Sequence, residues 1–325
     1  MRFVIYGAGA IGGVAGARLH QSGHEVALIA RGAHGEAIAQ HGLTLITPEE
    51  HTTLRIPVAQ TPYELQINAD DVVMLATKGQ DTWDALTALR AATDERPALV
   101  LLQNGVENER IALRLFPDVY GALVMSPTAH VEPGTVLAYG TSYTGTLDIG
   151  RYPTGIDALT EQVCAALERS RYESIPREDI MVYKYAKMIT NLGNAVQAVC
   201  GLGPDAKELT QRVRAEGRAV LSAVGIPHDV PDVLDINVQW KRWGAGEIDG
   251  RPRQGGSTWQ SITRGTGSVE SDYLNGEIVL LARQNGLEAP LNETLQRLAQ
   301  ETARGGHQPG WRSAESISQD VARAS

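Results

Sequence analysis

Short apolar runs alternate with segments of helical periodicity through the first half of the chain. Phe3–Tyr6 is a run of strand length, followed by Gly7-Ala8-Gly9-Ala10-Ile11-Gly12 and then by helical spacing through Ala15 and Leu19 to Ser22-Gly23. Val26–Ala30 is a second run, so the order is strand, glycine turn, helix, strand. Asp71–Ala76 and Ala98–Leu102 are continuous apolar runs, with Trp83, Leu86 and Leu89 at helical spacing between them. Such runs suit a parallel sheet covered on both faces. Gly134–Tyr139 and Tyr143–Ile149 read as strands that extend the sheet in antiparallel fashion, and Leu159–Leu167 as another helix. Pro176, followed by Glu178 and Asp179, marks a breaker before a helix start. A first domain over residues 1–177 follows.

The second half reads as helices. Met181, Tyr185, Met188, Ile189, Leu192 and Val196 give one apolar face over Met181–Val199. Further helices are expected at Asp205–Val224, at Pro231–Trp243, from Val269 to Gln284 with Asn285-Gly286 as its close, and after Pro290. Between Trp243 and Gly267 glycines recur among Arg251, Arg253 and Arg264, a composition that fits either a linker or a cationic lid. The helical domain is placed at 178–303. The tail, 304–325, has few apolar residues and is expected to be poorly ordered.

The chain has 325 residues, 42% hydrophobic and 21% charged, which is globular composition for about two domains. Its net charge of −9, with no basic block, excludes the electrostatic footprint of a nucleic-acid binder or of an anionic-membrane binder. No apolar run approaches the roughly 20 residues of a membrane span. Two cysteines, Cys164 and Cys200, make no disulfide framework, and MRFVIYGAGAIGG opens the first motif at once. The expectation is a soluble, cytoplasmic protein. The eight histidines are scattered and form no metal-ligand cluster, so no metal is expected.

The glycine turn carries the first chemistry. Gly7 permits the tight turn out of the strand, Gly9 lets a pyrophosphate approach the backbone, and Gly12 lets the helix pack closely on the sheet. The backbone of Gly7, Ala8, Gly9, Ala10, Ile11 and Gly12 then offers N–H groups at a helix N-terminus to phosphate. Where an NAD-binding sheet carries a carboxylate, this chain reads Ala30-Arg31-Gly32. A guanidinium there suits the 2′-phosphate of NADP(H), unless Arg31 is simply a solvated surface residue. Lys78, after the strand ending at Ala76, and Asn104, in Gln103-Asn104-Gly105, are expected at the same sheet edge. On the helix from Met181, Lys187, Asn191 and Asn194 fall at i, i+4 and i+7, an ammonium and two amides on one face. That face is either solvated or borders a small-molecule site. Glu270, taken by itself, is an acid favoured in a first helical turn.

Taken in order, these pieces resemble the ketopantoate reductases (2-dehydropantoate 2-reductases). The matching stretches are GAGAIGG from Gly7, Arg31, Thr77-Lys78, QNG from Gln103, YAKMITN around Lys187, and ESDYLNGEIV from Glu270. The resemblance implies an α/β Rossmann-type doubly wound domain followed by an all-α domain like the C-terminal one of 6-phosphogluconate dehydrogenase. It implies Lys187 as catalytic lysine, Asn191 as a substrate-binding asparagine and Glu270 as a glutamate that contacts substrate, either positioning the lysine or binding a substrate hydroxyl in the catalytic step. Lys78 and Asn104 would lie near both nicotinamide and substrate, and Ser257 would contact substrate. Asn194 stands one residue short of the family's second asparagine, a position taken here by Ala195. The implied activity is NADPH-dependent reduction of a 2-oxo acid, ketopantoate to pantoate as in pantothenate biosynthesis, by a monomer or homodimer. The alternatives are an NADPH-dependent reductase of the same fold acting on a different keto acid or a larger anionic ketone, and a non-catalytic NADP(H) sensor.

Overall fold

A computed structural model of the chain describes residues 1–244, 246–250, 255–263 and 269–324. They divide into two units, Met1–Lys184 with Asp235–Arg253, and Tyr185–Leu234 with Gln254–Ser325.

The first unit begins with β1 (Arg2–Tyr6), α1 (Ala10–Gln21), β2 (Glu25–Ile29) and α2 (Gly32–His41). There follow β3 (Leu43–Ile46), β4 (His51–Leu54), β5 (Val58–Ala59), β6 (Val72–Leu75), α3 (Thr82–Ala92), β7 (Ala98–Leu101) and α4 (Asn108–Leu113). The series continues with β8 (Val119–Met125), β9 (Thr128–Glu132), β10 (Thr135–Ala138), β11 (Gly145–Arg151), α5 (Ala158–Arg169) and β12 (Tyr172–Glu173). Eight strands form a doubly wound Rossmann-type sheet in the order β12-β11-β8-β7-β6-β1-β2-β5. From β5 to β8 neighbouring strands are parallel, while β11 runs antiparallel to β8. The chain leaves β1 for β2 on one side and reaches β6 on the other, so the glycine turn sits at the topological switch point.

Both faces of that sheet are buried, which is why β6 and β7 read as unbroken apolar runs. One face packs Leu86, Leu89 and Phe116 against Val4, Val73 and Leu99. On the other, Val14 and Ala15 of α1 join Phe3, Ile5 and Leu28 in one core that also takes in Val136 and Leu43. These last two belong to a second sheet, β4-β3-β10-β9, which was not expected. The 134–139 run is therefore corrected: β10 pairs with β3 and β9 in the small sheet, and only the 143–149 run extends the large one.

Residues beyond Lys184 show further differences. α6 (Ile180–Asn191) and α7 (Gly193–Cys200) are separated by a turn at Leu192, where a single helix was expected. The Leu192 carbonyl accepts a bond from Asn275 Nδ2 at 3.3 Å. α8 (Pro204–Ala223) follows as expected, and the 231–243 stretch splits into α9 (Pro231–Leu234) and α10 (Ile236–Trp243). α11 (Ser257–Thr263), α12 (Asn275–Gln284), α13 (Pro290–Arg304) and α14 (Ala314–Ala324) complete the described elements. Ahead of α12 a separate 3-10 turn covers Ser271–Tyr273, with Glu270 at its N-terminal edge rather than in the first turn of a long helix. The tail is corrected too: α14 is formed, and Ile317 on it is fully buried.

The glycine-rich stretch after Trp243 is divided. Trp243 is buried in the first unit, donating from Nε1 to Thr146 Oγ1 at 3.0 Å, while its carbonyl accepts from Thr141 and Ser142 N–H. Gly246 N–H donates to the Tyr139 carbonyl at 2.9 Å, and Ile248 packs with Leu137 and Tyr139. Gly256 onward belongs to the second unit. Arg251, Arg253 and Arg264, which leave a linker or a cationic lid open in the sequence, lie outside the described residues, as do Gly265 and Gly267. Among the described residues no helix is long and apolar enough to cross a membrane.

Candidate dinucleotide and substrate sites

Strand register fixes the carboxyl edge of the large sheet. Tyr6 pairs with Ile29 on one side and Leu75 on the other, and Leu75 pairs with Leu101. Gly7, Arg31, Lys78 and Asn104 all lie just beyond those residues, so they come to one edge as the spacing predicts. Lys78 and Asn104 are both half-buried there.

The glycine turn has the geometry a phosphate needs. Gly7 has φ +103°, and a Cβ on it would meet the backbone of Ala76 and Thr77 at 2.9 Å. A Cβ on Gly12 would meet the Gly7 carbonyl oxygen at 2.1 Å, so only a bare backbone lets α1 approach β1 this closely. Gly9 differs: a Cβ there would meet nothing within 4 Å. The open side of Gly9 gives on a cavity of about 450 Å³ lined by the glycine turn, Arg31, His34, Tyr63, Thr77 and Asp81, among others. Tight packing behind and open space in front fit a dinucleotide pyrophosphate held on the N-terminus of α1.

His34 and Asp81 were missed in the sequence, where each is one polar residue among many at a helix start. His34 Nε2 bonds to the Ala8 carbonyl at 2.7 Å, and its Nδ1 accepts from Gly134 N–H at 2.9 Å. Both ring nitrogens are thus engaged in the neutral form, and burial lowers the pKa of the imidazole. The His130 ring packs against it with centroids 4.2 Å apart and the two planes tilted by 53°. Asp81 ends the 3-10 turn after Lys78 and pairs with Arg31 at 3.2 Å. Tyr6, at the end of β1, has its phenol pushed up by burial.

Behind this edge runs a hydrogen-bonded network. Gln103 Nε2 donates to Thr82 Oγ1 at 2.7 Å and to Thr77 Oγ1 at 3.3 Å. Thr82 donates to Asn108 Oδ1, and Asn108 Nδ2 donates to the Asn104 carbonyl at 3.1 Å. The turns after β6 and β7 are therefore held as one piece.

The remaining predicted residues belong to the second unit. Lys187 is half-buried on α6, and Asn191, one turn on, is buried. The turn at Leu192 separates Asn194 from that helix, so the seven-residue spacing is not carried by continuous α-helix. Asn194 instead lies against Gly256, whose Cβ would meet Asn194 Oδ1 at 2.5 Å. Gln197, also missed, accepts the Gly256 N–H at 2.9 Å. The structure thus brings Asn194 to the segment that leads into Ser257, the first residue of α11. Glu270 is half-buried, and the turn that follows it is tied to α13 through Ser271 Oγ on the Gln296 carbonyl and through Asp272 on Gln296 and Gln300.

Comparison with known proteins gives consistent matches along most of the chain. Residues 3–154 match the family described as ketopantoate reductase PanE/ApbA, and residues 179–303 match its C-terminal counterpart. A 2-dehydropantoate 2-reductase of Pyrococcus horikoshii is 32% identical over 316 residues, covering 94% of this chain and 99% of that protein. The crystal structure of a PanE/ApbA family ketopantoate reductase from Ralstonia eutropha aligns with a TM-score of 0.79 at 28% identity, over 95% of this chain and 100% of that one. A D-mandelate dehydrogenase in ternary complex with NADH and anilino(oxo)acetate aligns with a TM-score of 0.80 at 23% identity, over 95% of this chain and 100% of that one. That last likeness is one of fold.

Proposed function

Because the chain belongs to the ketopantoate reductase family, we propose that it reduces the carbonyl of a small 2-oxo acid with NADPH, converting 2-dehydropantoate to pantoate. The observation that carries the reading is the glycine cradle at the switch point, sealed behind Gly7 and Gly12 and open in front of Gly9, with Arg31 at the end of β2. When bound, the dinucleotide supplies the hydride that the carbonyl carbon accepts. The chain has to manage the charge. As the C–O π bond breaks, its electron pair moves to oxygen, which must be stabilised and protonated. The Lys187 ammonium does both, donating a hydrogen bond to that oxygen and then its proton, and taking a proton back from solvent. Glu270 balances the lysine charge or binds a substrate hydroxyl. Asn104, Asn191, Asn194 and Ser257 orient the carboxylate and hydroxyl groups, and Lys78 serves both nicotinamide and substrate. Such positioning is worth up to ~7–11 kcal/mol.

A second reading, reduction of a different 2-oxo acid, is favoured by one observation. The place of the family's second asparagine is held by buried Ala195, while Asn194 faces the Gly256 segment. NADPH oxidation with 2-dehydropantoate and a panel of other 2-oxo acids separates the two. Lys187→Ala should lower turnover about 10²- to 10⁴-fold while leaving the NADPH Kd nearly unchanged. Near-normal turnover in that variant removes Lys187 from the mechanism. Tight NADPH binding by the wild type, with no turnover on any acid, would leave a sensor in place of an enzyme.

A further inference from the structure

Resting on the dinucleotide reading above, we propose that Asp81 limits the preference of this chain for NADPH over NADH, by occupying Arg31 and by facing the 2′-phosphate with like charge. In the sheet order β6-β1-β2, the strands carrying these residues flank β1 from opposite sides. Arg31 follows β2 and Asp81 ends the turn after β6, so their contact at 3.2 Å spans the glycine turn. Both side chains line the same cavity, and Asp84, one helical turn on, lines it too. The cationic end of the adenosine site therefore holds one guanidinium against two carboxylates.

Each charge acts in a definite direction. Arg31 has a planar fork that suits a phosphate, but part of it is already engaged by a carboxylate. With 79% of the Arg31 side chain and 38% of Asp81 exposed, the pair is well solvated and weak, so a 2′-phosphate can displace Asp81. Displacement does not remove the carboxylate from the cavity, where it opposes a group bearing nearly two negative charges. NADH carries a 2′-hydroxyl in place of the phosphate, and a carboxylate is the group that accepts its hydrogen bond in NAD-selective sheets. In those sheets the acid stands at the end of the second strand; here Asp81 offers one from the β6 side. Asp81 thus opposes one cofactor and accommodates the other.

The test is direct binding, with no turnover needed. Kd values for NADPH and NADH are measured by nicotinamide fluorescence for the wild type, Asp81→Asn, Asp81→Ser and Arg31→Ala, at low ionic strength and in 1 M salt. Asp81 makes no side-chain cap to α3, so both Asp81 variants keep the helix start, and circular dichroism checks this. At low salt the Asp81 variants should raise the ratio of NADH Kd to NADPH Kd about fivefold, the scale of one exposed charge pair. In 1 M salt, where the Debye length is about 3 Å, most of that gain should vanish. Arg31→Ala should collapse the ratio. If Arg31→Ala collapses it and neither Asp81 variant raises it, Asp81 has no part in selectivity and the proposal is overturned. If Arg31→Ala leaves the ratio unchanged, the assignment of the 2′-phosphate to Arg31 is wrong, and the NADP(H) reading falls with it.

Discussion

Lys184 Nζ lies 2.5 Å from Glu109 Oε1 and donates to the Gln103 carbonyl at 2.9 Å, with both charged side chains enclosed. Burial pushes the Glu109 carboxyl up from its ordinary value, and the lysine opposes that push. The pair fastens α6 to the residue before Asn104, at the hub of the network that joins the turns after β6 and β7. Removing the lysine alone strands a buried acid. Lys184→Met should therefore destabilise the protein by about 3–5 kcal/mol, and Lys184→Met combined with Glu109→Leu should regain most of the loss. Urea unfolding of the two variants checks this; equal losses in both would show that the charge pair is not the determinant.

Gly9 and Gly12 sit three residues apart and should fail in opposite ways. An added methyl at Gly9 enters open space at φ −70°, whereas at Gly12 it meets the Gly7 carbonyl oxygen at 2.1 Å and Ala76 Cβ at 2.8 Å. Gly9→Ala should keep the wild-type Tm while weakening NADPH binding about tenfold or more, because the methyl stands where the pyrophosphate approaches. Gly12→Ala should cost about 1–3 kcal/mol in stability through overpacking. Thermal melts and NADPH titration of both variants decide the matter. A Gly9→Ala protein that binds normally would place the phosphates elsewhere.

The large sheet was legible because its central strands are buried on both faces and carry continuous apolar runs, with the glycine turn marking the switch point. The small sheet was not: β4 reads His-Thr-Thr-Leu and alternates between exposed and half-buried positions, so it has no apolar run to find. In the same sheet β10, which pairs with β3 and β9, does carry one, but strand length says nothing about which sheet a strand joins. On the site side, residues on the edge of the large sheet followed from strand ends alone. Lys184 was passed over because its partner lies 75 positions earlier in sequence, beyond the reach of any local pattern. Asp81 and His34 escaped for the same reason, since Arg31, Ala8 and Gly134 meet them only through the fold. The tail misled by composition, for buried Ile317 and Ala314 are joined by polar bonds that hold α14.

That tail gives a prediction of its own. Trp311 Nε1 donates to Thr302 Oγ1 at 2.9 Å, Arg312 pairs with Asp320 at 2.5 Å, and Arg212 donates to Ser318 Oγ at 2.7 Å. Gly310 N–H bonds to the Val199 carbonyl at 3.0 Å, which closes the end of α7. Ile317→Ala should cost about 2–5 kcal/mol, the range for truncating a buried isoleucine. Urea unfolding that shows a loss below about 0.5 kcal/mol, the usual scale of a surface substitution, would mean that α14 is not docked in solution.

His34 should make stability depend on pH. Burial holds its folded pKa below the ordinary value against the opposing pull of the Ala8 carbonyl, and the bond that Nδ1 accepts from Gly134 N–H requires the neutral ring. The folded protein thus binds a proton at His34 less readily than the unfolded chain does. The stability this contributes is present above pH about 6.5 and is lost as pH falls through the depressed folded value. His24, lowered by burial as well, titrates with the same sign, so the wild type alone does not isolate the effect. The difference between wild type and His34→Gln does. Urea midpoints should fall less steeply from pH 8 to pH 5 in the variant, and NADPH affinity at pH 8 should drop as the Ala8 carbonyl loses its clamp. Parallel pH profiles for the two proteins would mean that the imidazole keeps its proton affinity on folding, and unchanged NADPH affinity in His34→Gln would mean that the clamp has no bearing on the glycine turn.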